Sequence, residues 1–373
     1  MKYSLVGPVY PYRGGIAHYT TCLARALMNH GHQVQIISFR RQYPNWLYPG
    51  KSDRDPSQQP LKIDAQFDLD PINPWTWLKT AKIIRQHQPD ATIISWWTTF
   101  WAPSFWALSF QLRRSCIPVI FLIHNVLPHE VHMWDVWLAK TTLKNGSVHI
   151  VQSYREQQRL LALLPNSMVR YHPHPIYPFF NGQPLPQNEV KEKLGIPLDR
   201  KVILFFGIVR PYKGLKYLIE AIARLISQGK NVHLLIAGEF WENKRPYLQQ
   251  IHALGISNRI TIDDRYIPNE ELRWYFSTAD LFVAPYSNGT QSGVVTLALA
   301  FGLPVVLTDK IAQGLPEGTY NLRIVPSEDP EALAQGIEEV ILNLPSNHIP
   351  PPKTFDEGWS KLVSTIITST PVR

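Results

Sequence analysis

A glycine-containing loop between a β-rich run and an amphipathic helix could bind phosphate. Residues 202–206 are apolar and end at Gly207, and the loop carries Arg210 and Lys213 before a second glycine, Gly214. The glycine allows the backbone to turn, the following helix presents free N–H groups, and the two cations would neutralise an anion. The alternative is an ordinary strand-to-helix turn with surface cations, and the motif alone leaves both interpretations open.

A second loop of small polar residues opens another predicted helix, which continues to Phe301. A glycine just past the helix and a proline soon after it, Gly302 and Pro304, are typical of a helix end. At the other end, backbone N–H groups and hydroxyls could hold a pyrophosphate. The alternative is a capped helix behind a structural turn. The candidate residues are Thr290, Gln291, Ser292 and Gly293.

Two candidate sites lie in the first half of the chain. Gly14-Gly15 stands between a first strand and a helix, where the lack of side chains would let a ligand or another domain approach the backbone. His124 stands at the end of a later apolar run, and we weigh a functional histidine there against a core histidine.

Both halves of the chain alternate predicted strands and helices, which is typical of parallel sheets covered on both faces. We therefore expect two doubly wound, Rossmann-like α/β domains in tandem, with ligands beyond the carboxyl ends of the strands and a cleft between the domains. A helix is predicted over residues 16–29. Strands are predicted at 2–6, 33–38, 91–95, 119–124 and 148–152, and then at 202–206, 232–237, 259–262, 281–284, 305–307 and 322–325.

Length and proline content predict where the domains divide. The 373 residues exceed one typical core, and the stretch 173–186 is dense in proline, as expected of a linker. We predict an N-terminal domain over 1–183, a C-terminal domain over 184–350, and a tail over 351–373. A helix near 357–368 is expected to pack back on the first domain.

Composition excludes several classes of protein. Hydrophobic residues make up 45% and charged residues 18%, which indicates a globular chain. The net charge of +8 suits an anionic ligand or an acidic membrane surface, and no nucleic-acid signature is present. Cys22 and Cys116 are too few for a disulfide framework or a zinc site. No uncharged apolar run reaches about 18 residues. We expect a cytoplasmic protein, peripheral on the cytoplasmic face of a membrane at most.

Other side chains that resemble metal ligands are interpreted structurally. Asp263-Asp264 at a strand end is read as a solvated turn rather than a metal pair. The spacing of four histidines matches no usual metal site, and we expect them to be solvated or hydrogen-bonded. They are His129, His132, His172 and His174. No bound metal or cofactor is therefore expected.

Aromatic residues cluster in the first half of the chain. In the stretch 95–106 we expect most rings to pack in the core, although an acceptor or lipid could also use them. A nearby predicted helix carries both aromatic residues and cations, and we hypothesise that it contacts an anionic membrane. These residues are Trp75, Trp77, Lys79, Lys82 and Arg85.

Taken in order, these motifs resemble the GT-B glycosyltransferases of the large retaining family 4, and the resemblance covers nearly the whole chain. Each motif is loose by itself, whereas the ordered set is specific. The matching pieces are Gly14-Gly15, Gly31-His32-Gln33-Val34, and the runs 124–130, 206–214, 235–239, 266–272, 279–286, 302–304 and 329–334.

The resemblance implies transfer of a sugar from a nucleotide-diphosphate sugar without a metal, by a hexosyltransferase that builds cell-surface polysaccharide or glycolipid. Its implied acceptor is a glycan or a lipid-linked molecule. Lys213 and Arg210 would meet the diphosphate, and His124 would lie near the transferred sugar. The implied donor-binding residues are Gly14, Gly15, Gly207, Glu239, Tyr266, Ile267, Thr290, Gln291, Ser292 and Gly293.

The chain departs from the family pattern in two places. Ile208 stands where members usually have arginine, and Gly289 and Leu297 stand where they have two glutamates. The chain therefore resembles a variant with a Thr-Gln-Ser-Gly loop. Three alternatives stay open: a nucleotide-sugar epimerase on the same fold, a catalytically silent nucleotide-sugar binding protein, and a membrane-associated scaffold.

Overall fold

The computed structural model describes residues 1–44, 46–48, 50–58, 60–128, 131–175, 177, 185–289, 292–312, 315, 322–343 and 355–371. The chain divides into two compact units. The first unit comprises Met1–Asp55, Pro60–Pro175 and Phe355–Arg373, and the second comprises Pro56–Gln59 and Ile176–Thr354. Among the described residues, no helix combines the length and the apolar character needed to cross a bilayer.

The first unit contains a seven-stranded parallel sheet with the strand order β3-β2-β1-β4-β5-β6-β7. The chain moves outward from β1 in one direction to β2 and β3, then crosses back to β4 and continues the other way. The strands are β1 (Lys2–Val6), β2 (Gln33–Phe39), β3 (Gln66–Leu69), β4 (Ala91–Trp96), β5 (Val119–Ile123), β6 (Val148–Val151) and β7 (Val169–Tyr171).

Helices connect these parallel strands, as the alternating sequence pattern predicts. The last helix of the chain, α13, packs against the first, α1. The helices of this unit are α1 (Gly15–Asn29), α2 (Pro74–His87), α3 (Ala102–Arg114), α4 (Met133–Leu143), α5 (Tyr154–Leu163) and α13 (Phe355–Ser369).

The second unit contains a six-stranded parallel sheet with the order β10-β9-β8-β11-β12-β13. Its strands are β8 (Lys201–Phe206), β9 (Val232–Ala237), β10 (Ile260–Asp263), β11 (Leu281–Ala284), β12 (Val305–Thr308) and β13 (Leu322–Val325). Its helices are α6 (Gln187–Lys193), α7 (Leu215–Ser227), α8 (Arg245–Ala253), α9 (Leu272–Thr278), α10 (Gly293–Ala300), α11 (Asp309–Ala312) and α12 (Pro330–Leu342).

Central strands are apolar on both faces because helices cover both sides of each sheet. In β8, Leu204 and Phe206 join the core on one side, whereas Ile203 and Phe205 join the core on the other. This alternation is the expected period of two along a strand. The predicted fold class, two doubly wound α/β domains, is confirmed, while the short edge strands β3 and β7 were missed.

Candidate functional site

The candidate site of the second unit lies where the chain reverses its direction across the sheet. Neighbouring strands β8 and β11 lead to connections that run toward opposite edges. Ligands of open α/β sheets bind outside the carboxyl ends of the strands at such a switch point. The loops that follow β8 and β11 are the two loops that the sequence singled out as phosphate-binding candidates.

These two loops pack backbone against backbone. Gly214 has φ 69°, and a Cβ atom placed on it would lie 1.9 Å from the carbonyl oxygen of Pro285. The Ser287 amide donates a hydrogen bond of 2.8 Å to the Tyr212 carbonyl oxygen. Glycine is therefore required at 214, both by its left-handed backbone and by the close approach of the second loop.

The Lys213 ammonium is buried between the two loops. Its Nζ atom lies 5.3 Å from the ring centroid of Tyr286, within cation–π range. A Cβ atom on Gly207 would come within 3.2 Å of the same Nζ and 3.3 Å of Val294 in the first turn of α10. The ammonium, the glycine turn and the start of α10 therefore converge.

Burial shapes the electrostatics of this ammonium. The side chain is 8% exposed, and desolvation lowers the pKa of Lys213, with a further contribution from the Arg210 charge. In the parts of the chain that the structure describes, no carboxylate lies within 4 Å of Nζ. A buried cation without a paired carboxylate is costly, so an anionic ligand would stabilise it.

Ser292 starts helix α10 and contacts the same tyrosine. Its Oγ atom accepts a long hydrogen bond of 3.4 Å from the Val295 amide, which makes Ser292 the N-cap. The Tyr286 hydroxyl lies 3.1 Å from Ser292 Oγ, and burial raises the pKa of Tyr286 to about 12. The phenol therefore stays protonated at neutral pH, and it links the cap to the Lys213 environment.

Arg210 and Glu239 meet through a residue that the sequence reading missed, Trp241. The Arg210 guanidinium carbon lies 5.1 Å from the Trp241 ring centroid. The indole Nε1 donates a hydrogen bond of 3.2 Å to the buried carboxylate of Glu239. The loops after β8 and β9 also touch at Gly238, where a Cβ would lie 2.1 Å from the Gly207 carbonyl oxygen. The feature of the sequence that could have indicated this role is the tryptophan that stands two residues after Glu239.

The turn that carries Tyr266 and Ile267 is held by charged side chains. Arg265 Nε donates to Asp263 at 3.0 Å, and its Nη1 donates to Glu271 at 3.1 Å. Ile267 is buried in the core of the second unit, while Tyr266 is half-buried.

The acidic pair at the end of β10 forms ion pairs and stays partly exposed. Asp263 pairs with Arg265, and Asp264 accepts a hydrogen bond of 2.7 Å from Lys244. Both carboxylates therefore stabilise the turns around them. In the described segments, no group of three or more His, Cys, Asp or Glu is arranged to hold a metal ion.

In the first unit, His124 directly follows β5 and is buried beside an aromatic ring. Its backbone amide donates 2.8 Å to the Trp96 carbonyl oxygen, and its imidazole lies edge-on to Tyr19 with centroids 4.9 Å apart. Burial, reinforced by the charge of His174, lowers the pKa of His124 to about 3, against an opposing hydrogen bond with Gln152. The ring is therefore neutral at physiological pH.

The remaining histidines behave largely as expected. His174 is buried with Nδ1 2.7 Å from the Pro175 carbonyl oxygen, and His172 makes the corresponding contact with Pro173 at 2.8 Å. His132 lies 3.4 Å from the Asp135 carboxylate at the start of α4. His129 lies outside the described residues.

The structure places the glycine pair at the start of α1. Gly14 is the N-cap with φ 105°, and no atom lies within 4 Å of a Cβ built on it, so the described surroundings leave space for a ligand. Gly15 is the first residue of the helix. Among the candidates of the polar loop, Ser292 and Gly293 are described, whereas Thr290 and Gln291 lie outside the described residues.

The structure shows the surroundings of the two residues that stand where the family has glutamates. Gly289 has φ 136°, and a Cβ there would lie 3.0 Å from a side-chain atom of Ile311, so a larger residue would be strained. Leu297 is buried in the apolar core beneath α10. Neither position carries a polar side chain.

Each half of the chain is similar to a known protein family. Residues 13–178 match the family described as Glycosyltransferase Family 4. Residues 200–343 match the family described as Glycosyl transferases group 1.

Individual relatives share modest identity. The teichuronic acid biosynthesis glycosyltransferase TuaC of Bacillus subtilis is 28% identical over 249 residues, which span 64% of this chain and 59% of TuaC. The glycosyltransferase MJ1607 of Methanocaldococcus jannaschii is 28% identical over 366 residues, covering 91% and 89% of the two chains. The match thus spans less than two thirds of the first of these relatives.

Solved structures show the same fold. Anabaena HepE in complex with UDP superposes with a TM-score of 0.67 at 17% identity, covering 99% of this chain and 97% of HepE. The family matches, the two parallel sheets and this superposition agree on the fold, and the protein has the two Rossmann-like α/β domains found in GT-B glycosyltransferase structures.

Proposed function

We propose that the protein transfers a sugar from a nucleotide-diphosphate sugar, and that the loops after β8 and β11 hold the donor diphosphate. The observation that carries this proposal is the buried Lys213 ammonium at the switch point of the second sheet, which has no carboxylate within 4 Å among the described residues. A diphosphate supplies the opposite charge that this environment lacks.

The proposed chemistry is electrostatic stabilisation of the leaving group. The bond between the anomeric carbon and the β-phosphate oxygen breaks, and its electron pair stays on the diphosphate. A new bond forms to the acceptor oxygen, whose proton passes to an oxygen of the departing diphosphate. We propose that Lys213, Arg210 and the N–H groups at the start of α10 offset the charge on the departing diphosphate. We propose that this cationic set acts without a metal ion.

Further roles extend the resemblance to this chain. We propose that Gly207 keeps space open beside the ammonium, and that Tyr266 and Ile267 face the nucleotide base. Glu239 is proposed to contact the donor through the carboxylate that Trp241 orients. In the first unit, we propose that His124 contacts the transferred sugar, because a neutral imidazole can donate a hydrogen bond without a charge.

The donor and acceptor classes draw on the named relatives. HepE was solved with UDP and with UDP-glucose, which supports a nucleotide-sugar donor of this type. TuaC is named for teichuronic acid biosynthesis, which supports an acceptor in cell-surface polysaccharide or glycolipid synthesis. We propose retention at the anomeric carbon, in a family 4 variant with the Thr-Gln-Ser-Gly loop.

A thermal-shift panel followed by a turnover assay tests this function. Wild-type protein and Lys213→Ala would be heated with UDP, GDP, ADP and their sugars, because a ligand that binds the folded state raises the melting temperature. We expect one nucleotide to stabilise the wild type and not the variant, and its sugar to release nucleoside diphosphate when acceptor lipids or glycans are added. Folded protein that responds to none of them would contradict the proposal.

A second candidate is a nucleotide-sugar binding protein without catalysis. The specific observation that favours it is that Gly289 and Leu297 stand where the family has glutamates, with Leu297 buried in the core. This protein would show the thermal shift without release of nucleoside diphosphate. Product analysis by NMR in the same assay would detect an epimerase, because the donor sugar would change without an acceptor.

A further inference from the structure

We propose that one helical face of the first unit docks on an anionic lipid bilayer. The face is formed by α2, α3 and α4, which pack side by side. We call it the docking face. Each of the three helices connects parallel strands of one sheet, so they run in the same direction and their first turns lie at the carboxyl edge of that sheet.

Large apolar side chains are exposed on this face near the helix starts. Trp75 on α2 is 79% exposed, and on α4 Met133, Trp134 and Trp137 are 92%, 61% and 65% exposed. On α3, Trp106 stacks on Phe110 with ring centroids 5.4 Å apart, and both rings are partly exposed. Large apolar side chains exposed on three neighbouring helices are typical of a contact surface.

Cations follow the aromatic residues along each helix. Lys82 lies seven residues after Trp75, and Arg113 and Arg114 lie seven and eight after Trp106. Residues at these spacings share one side of a helix. Seven residues advance about 10 Å along the axis, so the rings near the carboxyl edge and the cations farther along each helix lie at different distances from that edge. With the carboxyl edge inserted, the rings would reach the acyl boundary while the cations stay at the phosphates.

The charge on the three helices has one sign at the surface. Their only acidic residue is Asp135, which is buried and accepts a hydrogen bond from Thr99. Lys79 pairs with Asp68 at 2.6 Å. In the described part of the chain, no carboxylate lies within 4 Å of the cationic groups of the other helix cations. Those are Lys82, Arg85, Arg113, Arg114 and Lys140. Anionic lipid headgroups would complement this set.

The residues that form the docking face differ from those that the sequence suggested for membrane contact. Trp77, which the sequence placed beside Trp75, donates its indole N–H to the Asp70 carbonyl oxygen at 2.7 Å and packs against the core. The exposed tryptophans of α4 take its place. The docking face stands independently of the proposed function. In combination with that function, it favours a lipid-linked acceptor delivered to the carboxyl edge of the first sheet.

Vesicle co-sedimentation of the full chain tests the docking face. Phosphatidylcholine vesicles would be compared with vesicles containing about one third phosphatidylglycerol. We expect binding to the anionic vesicles at low salt, weakened by added salt. Arg114→Gln combined with Lys140→Gln should lower the partition coefficient about 30-fold. Lys216→Gln combined with Arg224→Gln, two exposed cations of α7, removes the same charge and should leave binding nearly unchanged.

A second variant separates insertion from charge attraction. Trp134→Ser combined with Trp137→Ser should reduce partition about tenfold or more and abolish the blue shift of tryptophan fluorescence on vesicle addition. Because both rings are largely exposed, the fold should survive, as circular dichroism would show. The proposal is overturned by no binding at low salt, or by equal losses in the two charge variants. It is also overturned if the wild-type protein is a dimer in the absence of vesicles and the tryptophan variant is a monomer, because the rings would then form a protein–protein interface.

Discussion

Replacing Gly214 with alanine tests the contact between the two loops of the candidate site. The residue has φ 69°, and its added Cβ would meet the Pro285 carbonyl oxygen at 1.9 Å. Carbon and oxygen normally stay beyond about 3 Å, so one of the two backbones must move by roughly 1 Å. Since both backbones are tied to β-strands, this displacement is expensive.

Gly229 provides a matched control for the backbone conformation. It has φ 79°, similar to Gly214, but no atom lies within 4 Å of its added Cβ. Alanine at 229 should lower the free energy of unfolding by about 1–2 kcal/mol, because alanine disfavours the left-handed backbone conformation. Alanine at 214 should lower it by the same amount plus about 1–3 kcal/mol for the forced overlap.

Urea unfolding of the two variants measures the difference directly, and titration with the stabilising nucleotide measures its effect on the site. We expect Gly214→Ala to be less stable than Gly229→Ala by about 1–3 kcal/mol and to bind the nucleotide more weakly. Gly229→Ala should bind like the wild type. Equal stabilities, or unchanged binding by Gly214→Ala, would refute the close packing of these loops.

Three further predictions concern single side chains. His124 and His174 have pKa values lowered to about 3 and about 4, below an unfolded value near 6.5, so the unfolded state binds protons first as the pH falls. When the pH falls from 7.5 to 5, each of these two histidines should lower the free energy of unfolding by about 2 kcal/mol. In urea unfolding, His124→Gln should therefore lose about 2 kcal/mol less stability over this pH range than the wild type. Ser292→Ala removes a helix cap and should lower stability by about 1–2 kcal/mol in the same assay, with no loss refuting the cap. Trp241→Phe removes a donor to buried Glu239, so calorimetric unfolding should show about 1–3 kcal/mol of destabilisation, and an unchanged melting temperature would contradict that role.

Residues of the central strands were predictable because parallel strands covered on both faces are continuously apolar. The run at 202–206 has this character and lies in β8. The two edge strands of the first sheet lack it: β3 reads Gln-Phe-Asp-Leu and β7 reads Val-Arg-Tyr, and both are paired on one side only. Their place in the sheet depends on the neighbouring strand rather than on their own sequence.

Local motifs predicted the loops of the candidate site but not the contacts between them. Glycine followed by cations indicated the loop after β8, yet the position of Lys213 over Tyr286 depends on β8 and β11 being neighbours, a property of topology. Trp241 was missed because its role needs Arg210 and Glu239 to be close in space. Trp77 was misplaced because its burial depends on a carbonyl oxygen in the preceding turn.

The central claim is that the Lys213 ammonium binds the donor diphosphate. Isothermal titration of the stabilising nucleoside diphosphate into wild type, Lys213→Met and Lys216→Met tests it most directly. Methionine keeps the length of the side chain and removes the charge, and Lys216 is an exposed cation in the first turn of α7, three residues after Lys213. We predict that Lys213→Met weakens binding about 10- to 100-fold while Lys216→Met binds like the wild type. Equal affinity in all three folded proteins would contradict the account.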